Sequence, residues 1–163
     1  MVPDLAVTTD IIVGFPGETE ADFERTLEVA AAAEFDSAYT FVYSPRPGTE
    51  AAERVDDFCD PEEVKDRYSR LRMVIERSGR RRHEARIGNV EEVVVEGPSK
   101  KDPTLLTGRT GQNKLIHFPS GPIKIGSYAT VRVTEAATQY LKGELVEVTH
   151  TARHRTRIPV LSI

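Results

Sequence analysis

Apolar positions open the chain as a continuous run, Leu5 to Val13, rich in β-branched residues and ending in Gly14-Phe15-Pro16-Gly17. A run of this kind, closed by a glycine turn, predicts a buried parallel-type strand. The spacing then changes. Phe23, Leu27, Ala30 and Ala31 recur on one helical face, Thr19 and Asp22 match a capping box, and Glu18 and Glu20 suit the positive end of a helix dipole. Phe35-Asp36 leads to a second strand, Ser37 to Tyr43, stopped by Ser44-Pro45-Arg46-Pro47-Gly48-Thr49. Strand, helix and strand with short connections predict a βαβ unit with a right-handed crossover.

Asp60-Pro61-Glu62-Glu63 starts another helix, with a capping Asp, Pro at the first helical position and acids in the first turn. Val64, Tyr68, Leu71, Ile75 and Ser78 trace its docking stripe. Toward its end the helix becomes basic, with Arg77, Arg80, Arg81, Arg82 and Arg86 against Glu84, and Gly88 marks a stop and a domain boundary. Beyond Gly88 the period becomes two. Strands are predicted at Val90 to Glu96, Leu105 to Thr110, Lys114 to Phe118, Tyr128 to Thr134 and Tyr140 to Val148, joined by Gly- and Pro-containing turns. Five short strands in about 70 residues are too few for a sandwich and suit a small OB-like barrel. The fold class is thus α/β followed by all-β.

Charge sharpens this division. The net charge of −4 over 163 residues hides two unlike parts: residues 1–60 carry 14 Asp/Glu against 3 Lys/Arg, and residues 61–163 carry 12 against 19. The basic part is the footprint of something that meets phosphate. A single cysteine, Cys59, excludes an internal disulfide framework and a metal site built from this chain's cysteines alone. No apolar run reaches the roughly 20 residues that span a bilayer, and Met1-Val2-Pro3-Asp4 does not begin a signal peptide, so a cytoplasmic location with no membrane partner is expected.

Two sets of residues are candidates for chemistry. On the first strand Asp10, Ile12 and Gly14 alternate onto one face, where the bare Gly14 would admit a flat ligand and Ile12 would add an apolar contact; the same glycine turn also reads as a tight connection into a helix. In the β-rich part Lys100, Lys101, Arg109, Lys114, Lys124 and Arg132 supply cations, while Phe118, Tyr128 and Tyr140 supply rings that either stack on unpaired bases or pack in a core. Lys100, Lys101 and Arg109, at strand ends, are the preferred RNA contacts, with the Arg80-Arg81-Arg82 cluster as a competitor. His117, His150 and His154 are too dispersed for a metal site.

At these residues the chain resembles a family. Asp10 to Thr19 with Tyr43-Ser44-Pro45-Arg46-Pro47-Gly48-Thr49 is similar to the fifth and sixth strands of the barrel in radical S-adenosylmethionine (SAM) tRNA methylthiotransferases. Val95-Glu96-Gly97-Pro98-Ser99-Lys100-Lys101-Asp102 and Leu106-Thr107-Gly108-Arg109-Thr110 resemble the opening strands of the terminal TRAM domain in the MiaB type. The resemblance implies a barrel segment with a linking helix over 1–87, a TRAM RNA-binding β-barrel over 88–150 and a basic tail over 151–163. It further implies SAM contacts at Asp10, Ile12, Gly14, Tyr43 and Ser44, with Asp10 departing from the glycine often found at its place. RNA contacts are expected at Lys100, Lys101, Arg109, Lys114, Arg80, Arg81 and Arg82.

The activity so implied is that of the intact enzyme: conversion of N6-dimethylallyladenosine beside the tRNA anticodon to its 2-methylthio derivative. SAM and two 4Fe-4S clusters are its cofactors. Fe–S ligation needs several thiolates, so neither cluster is expected on this chain, which would be inactive alone and would work with the remaining, N-terminal part of the same enzyme and with tRNA. Two alternatives stand beside this reading: a stand-alone, non-catalytic RNA-binding TRAM module, and the related enzyme that methylthiolates a ribosomal-protein aspartate.

Overall fold

The computed structural model describes residues 4–119 and 121–153. The chain forms two compact units. One takes in the chain up to Ala85 together with Ala137–Gln139, and the other holds Arg86–Ala136 and the segment from Tyr140 onward.

In the first unit, strand β1 (Thr8–Val13) and strand β2 (Ser37–Val42) pair in parallel from Thr8 with Ser37 to Val13 with Val42. Helix α1 (Glu20–Ala33) joins them. Its start is set locally: Thr19 Oγ1 accepts from the Asp22 amide while the Asp22 carboxylate accepts from the Thr19 amide, the reciprocal bonds of a capping box. A short helix α2 (Glu50–Glu53) and a 3₁₀ turn at Val55–Asp57, neither evident from the periodicity, precede helix α3 (Pro61–Glu84). Asp60 caps α3 by accepting from the amides of Glu62 and Glu63, and Pro61 takes the position where its missing N–H costs nothing.

The core of this unit is Val13, Phe23, Ala30, Val64, Leu71 and Ile75. Both helices therefore lie on one face of the two-stranded sheet, held there by burial of these side chains. Gly79 lets α3 come close to the chain entering β2, since a Cβ there would lie 3.0 Å from the Asp36 carbonyl oxygen, and Ser78 Oγ donates to the Phe35 carbonyl at 2.9 Å.

The second unit is a closed five-stranded barrel in the order β3-β4-β5-β7-β6, with β3 (Val90–Pro98), β4 (Leu105–Thr110), β5 (Leu115–Pro119), β6 (Tyr128–Ala136) and β7 (Leu141–His150). All neighbours are antiparallel except β5 and β7, which meet in parallel where Ile116 pairs with Leu141 and His117 with Lys142. Val93, Val95, Leu106, Ile116, Phe118, Ala129, Val131, Val133 and Leu141 fill the interior. Alternation along each strand put these residues inward and left polar ones outside. Gly143 is required where β7 crosses β6, because a Cβ there would lie 2.5 Å from the Arg132 carbonyl oxygen.

Against the sequence reading, β1 begins at Thr8 rather than Leu5 and β2 ends at Val42, while β3, β6 and β7 each run two residues further than their periodicity suggested. The added ends of β3 and β6 pair across the hairpins into β4 and β7, as Pro98 with Leu106 and Ala136 with Leu141, while the end of β7 pairs His150 with Tyr128. Of the expected tail 151–163, only Thr151, Ala152 and Arg153 are among the described residues, and His154 lies outside them.

Candidate functional site

The C-terminal ends of β1 and β2 gather the first candidate set. Asp10 and Ile12 stand on the open face of the sheet beside Tyr39 and Phe41, their partners in register; Ile12 is 53% exposed and Tyr39 74%. Tyr39 and Phe41 are stacked with ring centroids 6.4 Å apart.

Gly14 does not continue this face, which corrects the expected alternation. It follows the last ladder pair with φ +75, is buried, and a Cβ built on it would lie 2.7 Å from Val64 Cγ2 of α3. The space freed by the missing side chain is therefore filled by the Val64 side chain of α3. The Gly14 amide itself donates to Glu18 Oε2 at 2.7 Å.

Gly14 nonetheless lines a cavity of about 320 Å³ with Tyr43, Phe58, Cys59, Lys65 and Tyr68 among its walls. Phe15 and Phe58 both meet the Tyr43 ring edge-on, at 5.3 and 6.1 Å between centroids. The Tyr43 hydroxyl is buried and has no hydrogen-bond partner among the described residues. The aromatic and apolar walls of the cavity suit a mostly apolar ligand. Ser44 is exposed and is not part of the lining. The structure thus brings Gly14 and Tyr43 together and leaves Asp10 and Ile12 on the opposite side of the sheet.

Beneath the cavity lies a group that periodicity passed over. Arg67, three residues after Val64 and four before Leu71 on the docking face of α3, is 4% exposed. Its Nη1 donates to the Glu18 carbonyl at 3.0 Å and to Glu18 Oε2 at 3.2 Å, and its Nε donates to Glu20 Oε2 at 3.1 Å. The same Nη1 lies 3.7 Å from Cys59 Sγ, whose thiol donates to the Phe15 carbonyl at 3.4 Å. Burial disfavours the charged guanidinium, but the hydrogen bond to Glu20 and the charge of Glu18 outweigh it and leave Arg67 more basic than usual. Arg70 holds Glu20 and Glu24 from the next turn and lies 4.9 Å from the centre of the Phe23 ring; its hydrogen bond is the main reason that Glu20 sits below the usual carboxylate range.

The cationic candidates differ in how free they are. Lys100 and Lys101 are exposed in the β3–β4 loop and have no acidic partner among the described residues. That loop is tied by Asp102 Oδ1, which accepts from the Thr104 amide at 3.0 Å and its hydroxyl at 2.6 Å; the hydroxyl bond above all lowers the Asp102 pKa. Arg109 is held by Glu96 at 3.3 Å and by the Asn113 carbonyl at 3.1 Å. Lys114 is only 6% exposed, so it is buried rather than presented to a ligand. Arg80 pairs with Glu84, and Arg81 and Arg82 both pair with Glu34. Phe118 is fully buried in the barrel core, which removes it from the possible stacking rings, whereas Tyr128 is 41% exposed.

A further group on the outer barrel wall was not evident from sequence. His117 Nδ1 lies 3.1 Å from Thr107 Oγ1, and the His117 ring meets Tyr140 edge-on at 5.3 Å. Burial, and then the charge of Lys101, hold His117 below its ordinary pKa of 6.5. Only the cross-strand register unites these residues.

Among the described residues no cluster of His, Cys, Asp or Glu could hold a metal ion, and no helix is long and apolar enough to cross a membrane.

Residues 84–146 match the TRAM domain family. Over most of its length the chain is similar to proteins named tRNA-2-methylthio-N(6)-dimethylallyladenosine synthase: 50% identical to that of Moorella thermoacetica over 90% of this chain and 33% of the relative, 49% to that of Geobacillus thermodenitrificans over 88% and 27%, and 44% to that of Burkholderia cenocepacia over 94% and 34%. The chain spans about a third of the length of the curated relatives it matches. The chain thus matches the TRAM domain over residues 84–146 and is similar along about nine-tenths of its length to proteins named tRNA-2-methylthio-N(6)-dimethylallyladenosine synthase.

Proposed function

We propose that this chain is the C-terminal part of a tRNA methylthiotransferase, in which the barrel grips tRNA and the α/β unit, a segment of the radical SAM barrel, supplies one wall of the SAM pocket. The intact enzyme converts N6-dimethylallyladenosine beside the anticodon to its 2-methylthio derivative. The carrying observation is the identity of 44–50% to the named synthases over about nine-tenths of the chain. The names of these relatives favour a tRNA substrate over a ribosomal protein.

The α/β unit accords with a segment of a larger sheet. Its two parallel strands have one face covered by α1 and α3, while Ile12, Tyr39 and Phe41 stand open on the other. Parallel sheets are stable when both faces are covered, so further strands and side chains of the same enzyme would close this face. The cavity beside Tyr43 suits a flat ring such as adenine, with Tyr43, Phe58 and Tyr68 on its walls. Gly14 and Tyr43 would hold SAM there, with Ser44 at its mouth and Asp10 and Ile12 turned to the open face. When bound, SAM supplies the methyl group and the radical. The clusters do not fit this chain, whose single thiol, Cys59, is engaged by main-chain carbonyls, so their ligands belong to the rest of the enzyme and this part alone is inactive.

In the barrel unit, Lys100 and Lys101 would contact tRNA phosphates, with Arg109 joining when it leaves Glu96; on α3 of the α/β unit, Arg80, Arg81 and Arg82 would contribute at the cost of their pairs with Glu84 and Glu34. Lys114 would support the barrel rather than touch RNA. Fluorescence anisotropy of the chain with a labelled tRNA transcript tests the reading. Affinity falls steeply between about 50 and 200 mM salt if phosphate contacts carry binding. Absent or salt-insensitive binding would overturn it.

A further inference from the structure

Where the residues that follow the TRAM match return to the barrel, the chain turns a second cationic surface to solvent. Strand β7 ends at His150, and Thr151, Ala152 and Arg153 follow it back across the turn that enters β6. Together with Lys124 these residues line a cavity of about 450 Å³. Lys124 and Arg153, the imidazole-bearing His150 and two threonines, Thr149 and Thr151, share this lining, and no carboxylate residue is part of it.

The walls are positioned by the fold. The Ser127 amide donates to the Lys124 carbonyl at 3.1 Å and closes a turn in which Gly126 adopts φ +83. Gly126 N–H in turn donates to the Val95 carbonyl at 2.8 Å, which fastens the turn to β3. Ser127 is fully buried, and its hydroxyl accepts from the Ala152 amide at 3.1 Å. One serine therefore joins the turn carrying Lys124 to the segment carrying Arg153. Neither cation has an acidic partner among the described residues, in contrast to Arg80, Arg81, Arg82 and Arg109. Beside the cavity the half-exposed Tyr128 ring meets the His150 ring edge-on at 6.4 Å.

We propose that the notch formed by Lys124, His150 and Arg153 is a second RNA-contact site that takes a backbone phosphodiester, with Tyr128 offering its ring to an adjoining unpaired base. The chemistry is that of single-strand binding: unpaired cations and hydroxyl donors grip a phosphate, and an aromatic face beside them tolerates any base. Histidine donates a hydrogen bond in either protonation state, so His150 contributes as a donor throughout. The proposal rests on the RNA-binding reading given above and extends it to a notch where Lys124 of the TRAM-matched residues meets His150 and Arg153, which follow them in sequence.

The test uses the full chain with Lys124 and Arg153 both changed to Ala, compared with Lys100→Ala/Lys101→Ala, titrated into a labelled tRNA transcript and a single-stranded oligoribonucleotide. All four side chains are exposed, so melting temperatures stay at the wild-type value. The Lys124/Arg153 variant loses roughly tenfold in affinity and about 1.4 from the log–log salt slope, two contacts at roughly 0.7 each. Backbone amide shifts of Ser127 and His150 move on adding the oligoribonucleotide. If the Lys124/Arg153 variant binds like wild type while the Lys100/Lys101 variant is weakened, this site falls and the general reading stands. If wild type binds neither RNA, both fall. If inorganic phosphate moves the Ser127 and His150 amides but RNA does not, the notch is a free-anion site and the proposal is overturned.

Discussion

Arg67 and Glu18 form an ion pair at 3.2 Å that is almost closed to water, with side chains 4% and 11% exposed. It joins the loop that leaves β1 to the middle of α3, and removing one member strands the other charge. Breaking such a pair costs about 3–5 kcal/mol, far more than a surface pair contributes. Arg67→Ala should lower the stability of the α/β unit by about 3 kcal/mol in urea denaturation, with the barrel transition unmoved. A loss under about 1 kcal/mol would mean that water reaches the pair.

Gly14 and Val64 provide a packing test. A methyl at Gly14 meets the Val64 side chain at 2.7 Å and must adopt φ +75. Gly14→Ala should destabilise by about 2–3 kcal/mol. Val64→Ala removes the clash and leaves the backbone strain, so the double variant should recover part of the loss, and a double-mutant cycle reads the difference.

Acid should loosen the barrel through His117. Its folded pKa lies below the ordinary 6.5, because burial and the Lys101 charge disfavour the imidazolium. The unfolded chain therefore binds more protons near that pH, and stability falls as pH drops through 6.5 toward the folded value, then levels. Melting temperatures of wild type and His117→Gln, measured from pH 7.5 downward, should diverge in this window. Parallel curves would assign the acid sensitivity to other groups.

The neighbouring Lys101, with Lys100, sets the expected salt response. Replacing both by Ala should weaken binding to unrelated RNAs alike and lower the slope magnitude by about 1.4. A change confined to one sequence would instead mark a base-reading contact.

Hydrogen exchange should rank the two units. The β1–β2 ladder has two unpaired edges within the described residues, whereas β6 is paired on both sides. Amides of Ile11 to Val13 should exchange faster than those of Val131 to Val133. The reverse order in a monomer would contradict the view of β1 and β2 as part of a larger sheet.

What the sequence revealed was local. The Thr19–Asp22 box, the Asp60-Pro61 start of α3 and the alternation of Val93, Val95, Val131 and Val133 each lie within a few residues of the structure they specify. What stayed hidden depends on residues brought together from afar. Gly14 read as an opening for a ligand because Val64, its actual neighbour, is 50 positions on. Arg67 sits in a charged stretch, and its burial follows only from the arrival of Glu18 and Glu20 across the α1–α3 contact. The Lys124, His150 and Arg153 notch is assembled by Ser127, a residue with no motif of its own.

The barrel is a ring with one thin link. Where β6 and β7 run alongside each other from Tyr128 and His150 to Ala136 and Leu141, β5 and β7 meet only at Ile116 with Leu141 and His117 with Lys142. A ring cut at its shortest splice becomes a strip with two free ends and keeps most of its ladder. His117, the residue whose protonation disfavours the folded state, sits at that splice. Mild acid therefore acts on the clasp rather than on the band, and the barrel should unroll from β5 and β7 before its longer seams give way.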